Sequence, residues 1–202
     1  MKNKRTLLIL LLVFVFLLGG AALLYRQLGQ SVETDQLAAR EEQQQESGGS
    51  EPEQKTEAPD FTVYDREGRE VRLSDYTGKP IVLNFWASWC GPCQSEMPDF
   101  HEKYLELGDE IQFLMVNATD GSRETVETAS AFVEENAYTF PVLYDTQSLA
   151  AYAYGAYSLP STFFIDADGN LVARAAGAID GETLQRGIDM IAGSPAARQL
   201  QA

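Results

Sequence analysis

The stretch that most constrains the fold is Ile81-Val-Leu-Asn-Phe-Trp86, followed within a few residues by Trp89-Cys90-Gly91-Pro92-Cys93. A short apolar run of this kind predicts a buried central strand. From Cys90 to about Leu107 the pattern becomes helical, with Pro92 suited to a first turn and Gly108 placed as a C-cap. Both cysteines of the chain therefore sit where a buried strand hands over to a helix.

The flanking sequence predicts the other elements. Phe61–Tyr64 and Val71–Leu73 alternate around Asp65-Arg66-Glu67-Gly68, which predicts a hairpin. Ile111–Val116 reads as a second buried strand, and Ser122–Asn136 as an amphipathic helix with Val126, Ala129, Phe132 and Val133 on one face. Pro141–Tyr144 reads as a short strand and Gln147–Tyr154 as a small helix. Ser161–Asp166 and Leu171–Ala176 flank the hairpin signal Asp168-Gly169. Thr183–Ile191 closes the pattern as a helix, followed by Gly193. Strands alternating with helices, then a terminal hairpin and helix, predict an α/β sandwich around a mixed sheet.

The chemistry follows from placement. At a helix N-terminus Cys90 meets unpaired N–H groups and the positive end of the dipole, which favour its thiolate. Cys93 lies one turn later, in reach of a mixed disulfide on Cys90. Cys90 is read as the nucleophile and Cys93 as the resolving thiol. A Cys-x-x-Cys can also be half of a zinc site. Here the other ligands are missing, since the chain has two cysteines and one histidine, His101. No metal is expected, and no cofactor beyond the redox-active cysteine pair. A structural disulfide over so short a loop would constrain little unfolded chain. His101 is read as surface or partly packed. Trp86 and Trp89 border the motif, and Trp89 is read as substrate-binding.

The N-terminus carries a different instruction. Lys2, Lys4 and Arg5 precede an apolar run from Leu7 to Leu24. The run is as long as a bilayer-spanning helix needs, and the flanking charge predicts a cytoplasmic N-terminus with the body outside. A cleaved signal peptide would have a shorter core, so residues 1–28 are read as an uncleaved anchor; either reading exports the body. Residues 29–57 are rich in Glu, Gln, Ser and Gly without aromatics, and are read as an acidic disordered linker. A globular domain is expected over 58–193 and a tail over 194–202. The formal charge of the chain is −15, which argues against nucleic acid as partner.

Phe85-Trp-Ala-Ser-Trp-Cys-Gly-Pro-Cys93 resembles the thioredoxin active site. The body as a whole resembles the membrane-anchored TlpA/ResA-like branch of that superfamily, through Leu73-Ser-Asp-Tyr-x-Gly-Lys79, Asn84-Phe-Trp86, Glu96-x-Pro98, Phe140-Pro-Val142 and Leu159-Pro-Ser-Thr-Phe-Phe-Ile-Asp166. The resemblance covers nearly all of residues 58–192. It implies a thioredoxin-like three-layer sandwich with an N-terminal hairpin and a central α+β insertion over about 117–140, preceded by one transmembrane helix. Asn84 stands where thioredoxins carry a buried Asp, and Glu96, three residues after Cys93 and on the same helix face, is expected to take over its proton transfer. The resemblance makes Pro160 a cis proline beside the dithiol, which leaves the Leu159 backbone free to pair with an extended substrate. Gly91, Pro92, Asn84 and Pro98 are structural around the site, Pro98 as a kink in the helix where a backbone bond is lost.

These readings converge on an extracytoplasmic thiol–disulfide oxidoreductase, single-pass and monomeric. Gly-Pro between the cysteines matches thioredoxin, a reductant. The expected substrate is a disulfide-bearing protein, with the heme-attachment cysteines of an apocytochrome c as the candidate the resemblance implies, and re-reduction by a membrane thiol donor. The competing readings are a disulfide-forming oxidase, a thiol peroxidase, and a tethered binding module.

Overall fold

The structure, a computed structural model, describes residues 38–39 and 56–193. The anchor (1–28), most of the linker and the tail (194–202) lie outside the described residues. Eight strands form one mixed sheet: β1 (Ala38–Ala39), β2 (Thr62–Tyr64), β3 (Glu70–Arg72), β4 (Ile81–Trp86), β5 (Gln112–Asn117), β6 (Val142–Tyr144), β7 (Ser161–Ile165) and β8 (Leu171–Ala176). Their order across the sheet is β1-β8-β7-β4-β5-β6-β2-β3. The helices are α1 (Gly91–Leu107), α2 (Val126–Glu135), α3 (Leu149–Tyr154) and α4 (Gly181–Ile191), with a 3-10 turn at Leu73–Tyr76.

β4 is central because it is apolar apart from Asn84, whose amide finds partners inside the protein. All six residues are buried, with β5 parallel on one side and β7 antiparallel on the other. Successive side chains point to opposite faces. Val82 and Trp86 join a core with Met97 and Phe100 of α1, Ala129 of α2, and Leu184 and Ile188 of α4. Ile81, Leu83 and Phe85 join a second core with Leu73, Ala150 and Tyr154. The sheet thus separates two helical layers, which makes the three-layer thioredoxin-like sandwich.

Close packing fixes α4 against β7. A methyl group on Gly187 would lie 2.2 Å from the Phe164 ring. Asp180 caps the same helix by accepting from the Thr183 N–H at 2.8 Å, which stabilises it by about 1 kcal/mol.

Gly108 caps α1 as expected, in a right-handed conformation (φ −61°) that any residue adopts. Glycine is required by close approach: a Cβ there would stand 2.6 Å from the Tyr104 carbonyl oxygen. Two elements differ from expectation. α2 starts at Val126 rather than Ser122, because Thr125 and Thr128 form a reciprocal cap there and residues 120–124 are drawn into a loop by other hydrogen bonds. In addition, part of the segment read as linker belongs to the sheet. Ala38–Ala39 pairs with β8, Glu57 bridges Asn170, and the Leu171 N–H donates to the Thr56 carbonyl. An edge strand offers a row of unpaired backbone groups, and the backbone of Ala38–Ala39 takes up part of it.

Candidate active site

The loop after β4 turns sharply, with the Cys90 N–H donating to the Ala87 carbonyl at 3.2 Å. Cys90 is the N-cap of α1, and its Sγ accepts from the Cys93 N–H at 3.2 Å. An extended backbone at the cap (φ −84°, ψ 102°) turns its sulfur back over the first helical turn. That N–H and the dipole behind it stabilise negative charge on sulfur. Cys90 and Cys93 form a disulfide with Cα atoms 5.2 Å apart. Cys90 is 5% exposed and Cys93 0%, so an incoming group can reach only the first sulfur. Gly91 and Pro92 are exposed in the first turn, and Pro98 lies inside α1.

Glu96, one turn beyond Cys93, is 2% exposed. Its Oε1 accepts from Asn84 Nδ2 at 2.8 Å and its Oε2 from the Ile179 N–H at 2.9 Å. Burial pushes its carboxyl up to about 7; the two hydrogen bonds pull the other way, and Asp99 adds to the rise. Asn84 faces α1 because it lies between Val82 and Trp86 on the same face of β4. Its Nδ2 also donates to Thr162 Oγ1 at 3.0 Å, the residue directly across the β4–β7 ladder. Its Oδ1 is buried without a hydrogen-bond partner. A titratable carboxyl beside an amide that can donate from one end and accept from the other suits a group that changes protonation near neutral pH.

The Leu159–Pro160 peptide bond is cis. Pro160 is buried and Leu159 half-buried. Ser161, the next residue, pairs with Phe85, so the antiparallel register carries Pro160 toward the end of β4, where the cysteine loop begins. Trp89 is 42% exposed and Arg123 stacks on it, Cζ 3.6 Å from the ring centroid. Trp86 is fully buried in the core and packs on Phe132. His101 packs on Tyr138 and Phe140 and bonds Thr139, away from the dithiol. Among the described residues no cluster of His, Cys, Asp and Glu could hold a metal ion.

The residue that sequence reasoning passed over is Glu124, 0% exposed. It accepts from the Ser88 N–H at 2.9 Å, the Ser88 hydroxyl at 2.7 Å and Asn117 Nδ2 at 2.8 Å. Gln94 Nε2 donates to the Ser88 carbonyl at 2.5 Å, so Ser88 is held from both sides, two residues before Cys90. The available signal was a weak one: Glu124 directly precedes the cap at Thr125, where a solvated acid is the ordinary reading.

Comparison with known proteins places this geometry. The AhpC/TSA family matches residues 55–174. The thiol-disulfide oxidoreductase ResA of Geobacillus thermodenitrificans (strain NG80-2) is 38% identical over 135 residues, which is 66% of this chain and 75% of the relative. Among solved structures, a putative thiol:disulfide interchange protein DsbE from Chlorobium tepidum is similar with a TM-score of 0.61 at 29% identity, covering 69% of this chain and 97% of the other. The pneumococcal exposed lipoprotein thioredoxin Etrx1 from Streptococcus pneumoniae strain TIGR4 has a TM-score of 0.55 at 34% identity, covering 65% and 98%.

Proposed function

The chain belongs to the AhpC/TSA family and is a thiol–disulfide oxidoreductase of thioredoxin-like fold; from that premise we propose that it reduces protein disulfides outside the cytoplasm, with Cys90 attacking and Cys93 resolving. The observation that carries this reading is the asymmetry of the pair: Cys90 caps a helix at the surface edge and Cys93 is sealed beneath it.

In the reduced protein the Cys90 thiolate attacks one sulfur of the substrate disulfide. The substrate S–S bond breaks, its second sulfur leaves as a thiolate and takes up a proton, and a Cys90–substrate mixed disulfide remains. Cys93 then loses its proton to Glu96 and attacks Cys90 Sγ. The substrate sulfur bonded to Cys90 leaves as a thiolate and takes up a proton, and the enzyme disulfide closes. Two electrons pass from the dithiol to the substrate, and an external dithiol must return them. Asn84 serves Glu96 in both protonation states. Its Nδ2 donates to the carboxylate, and after the amide turns over, its unpartnered Oδ1 accepts from the carboxylic acid. Pro160 presents no N–H, leaving the Leu159 backbone to meet an extended substrate, with Trp89 against its side chains.

The N-terminal run supports a single-pass anchor with the catalytic domain outside, consistent in kind with a relative described as an exposed lipoprotein. A membrane thiol carrier is the proposed donor, a protein disulfide the proposed substrate, and the heme-attachment cysteines of an apocytochrome c one candidate. The test is the reduction potential of the Cys90–Cys93 pair, found by equilibration with defined thiol/disulfide ratios. A value near −270 mV supports a reductase, and one nearer −120 mV assigns disulfide formation instead.

A further inference from the structure

We propose that Arg123, stacked on Trp89, is a recognition site for a carboxylate flanking the disulfide of the substrate polypeptide. The inference rests on the oxidoreductase reading and names the substrate class within it. Residues 56–193 carry 23 Asp and Glu against eight Lys and Arg. Arg66, Arg69 and Lys103 are neutralised in ion pairs with Glu134, with Asp65 and Glu67, and with Glu106. Arg123 differs by its position. Its side chain is exposed and, among the described residues, makes no ion pair or hydrogen bond, only its backbone bonding Asp120; it stacks on the Trp89 ring, one residue before the nucleophile.

The stacking uses only the face of the guanidinium. Its five N–H donors lie in the plane and remain open, in a fork that matches a carboxylate. Asp120, the nearest acidic influence, is already committed: its Oδ1 accepts from the Ser122 and Glu124 N–H groups at 2.7 and 2.9 Å. The position of the cation is also fixed rather than incidental. Ser88 is bound to Glu124 and Trp89 is stacked by Arg123, so two consecutive residues of the cysteine loop are cross-linked to two consecutive residues of the 120s loop. A substrate strand approaching Cys90 passes a held, open-edged cation on a domain with a large excess of acidic residues.

The test compares three peptides, each with an intramolecular disulfide and flanked by Glu, Gln or Lys, as substrates of the full chain. In the wild type, kcat/KM for the Glu peptide should exceed that for the Gln peptide by about fivefold, as expected of one partly exposed ion pair. The preference should shrink in high salt. It should vanish in Arg123→Gln and reverse in Arg123→Glu. Equal preference in the wild type and Arg123→Gln overturns the inference, as does a loss in Arg123→Gln that is the same for all three peptides, since that assigns Arg123 to the loop or the thiol. Failure of the wild type to reduce any of the peptides strikes the oxidoreductase reading instead.

Discussion

Replacing Glu96 with Gln should make the protein more stable above neutral pH and slower in catalysis. The folded carboxyl is pushed up to about 7 from an ordinary value of 4.5, burial being the main cause. A group whose folded pKa is raised binds its proton more tightly in the folded state. The stability it contributes is complete below 4.5 and is lost as the pH rises through about 7. The full shift is worth about 3 kcal/mol, most of which is lost between pH 5 and pH 8. Gln carries no such dependence, and its environment can satisfy it. Its oxygen can accept from the Ile179 N–H, and its nitrogen can donate to Asn84 Oδ1 once that amide has turned. Urea unfolding followed by tryptophan fluorescence at pH 5 and pH 8 measures the effect. The wild type should lose about 2–3 kcal/mol more than the variant between the two. Decay of the mixed disulfide should be slower in the variant, on the order of 100-fold, with its rise through pH 7 abolished. Identical pH dependence of stability in both proteins would refute the argument, because Glu96 would then be an ordinary ionised partner of Asn84.

Two packing predictions are sharp. Gly187→Ala should destabilise the protein by about 1–3 kcal/mol, because forcing a methyl against the Phe164 ring outweighs the gain of about 1 kcal/mol in helix propensity; a raised melting temperature would contradict the 2.2 Å approach. Glu124→Ala strips the acceptor from the Ser88 N–H, the Ser88 hydroxyl and the Asn117 amide. It should cost about 3–5 kcal/mol by thermal unfolding, as for other broken buried networks, and a change below about 1 kcal/mol would mean the carboxylate is dispensable.

What was legible in the sequence was local. Ile81–Trp86 identified itself as a central strand by length and side-chain type, and Asp168-Gly169 marked the β7–β8 hairpin. Glu96 drew attention through its spacing from Cys93. The partners of these residues were not legible, because they are set by strand register and loop closure. Nothing near Glu96 in sequence announces Ile179, 83 residues away, and Ser88 carries no sign that Glu124 will hold it. The start of α2 was misplaced because residues 120–124 close a loop on themselves, Asp120 Oδ1 accepting from the Ser122 and Glu124 N–H groups, while the Glu124 side chain is drawn to Ser88 and Asn117. Ala38–Ala39 was read as linker because its composition is that of a linker, and its pairing depends on the open edge of a strand more than 130 residues later.

The central claim is that Cys90 attacks and Cys93 resolves, and trapping tests it most directly. Full-length Cys93→Ser and Cys90→Ser proteins, reduced and then mixed with a peptide disulfide, are followed by intact mass. The account predicts that Cys93→Ser accumulates a mixed disulfide on Cys90, while Cys90→Ser, whose remaining sulfur is 0% exposed, forms little adduct. Adduct on Cys90→Ser at an equal or greater rate would contradict it.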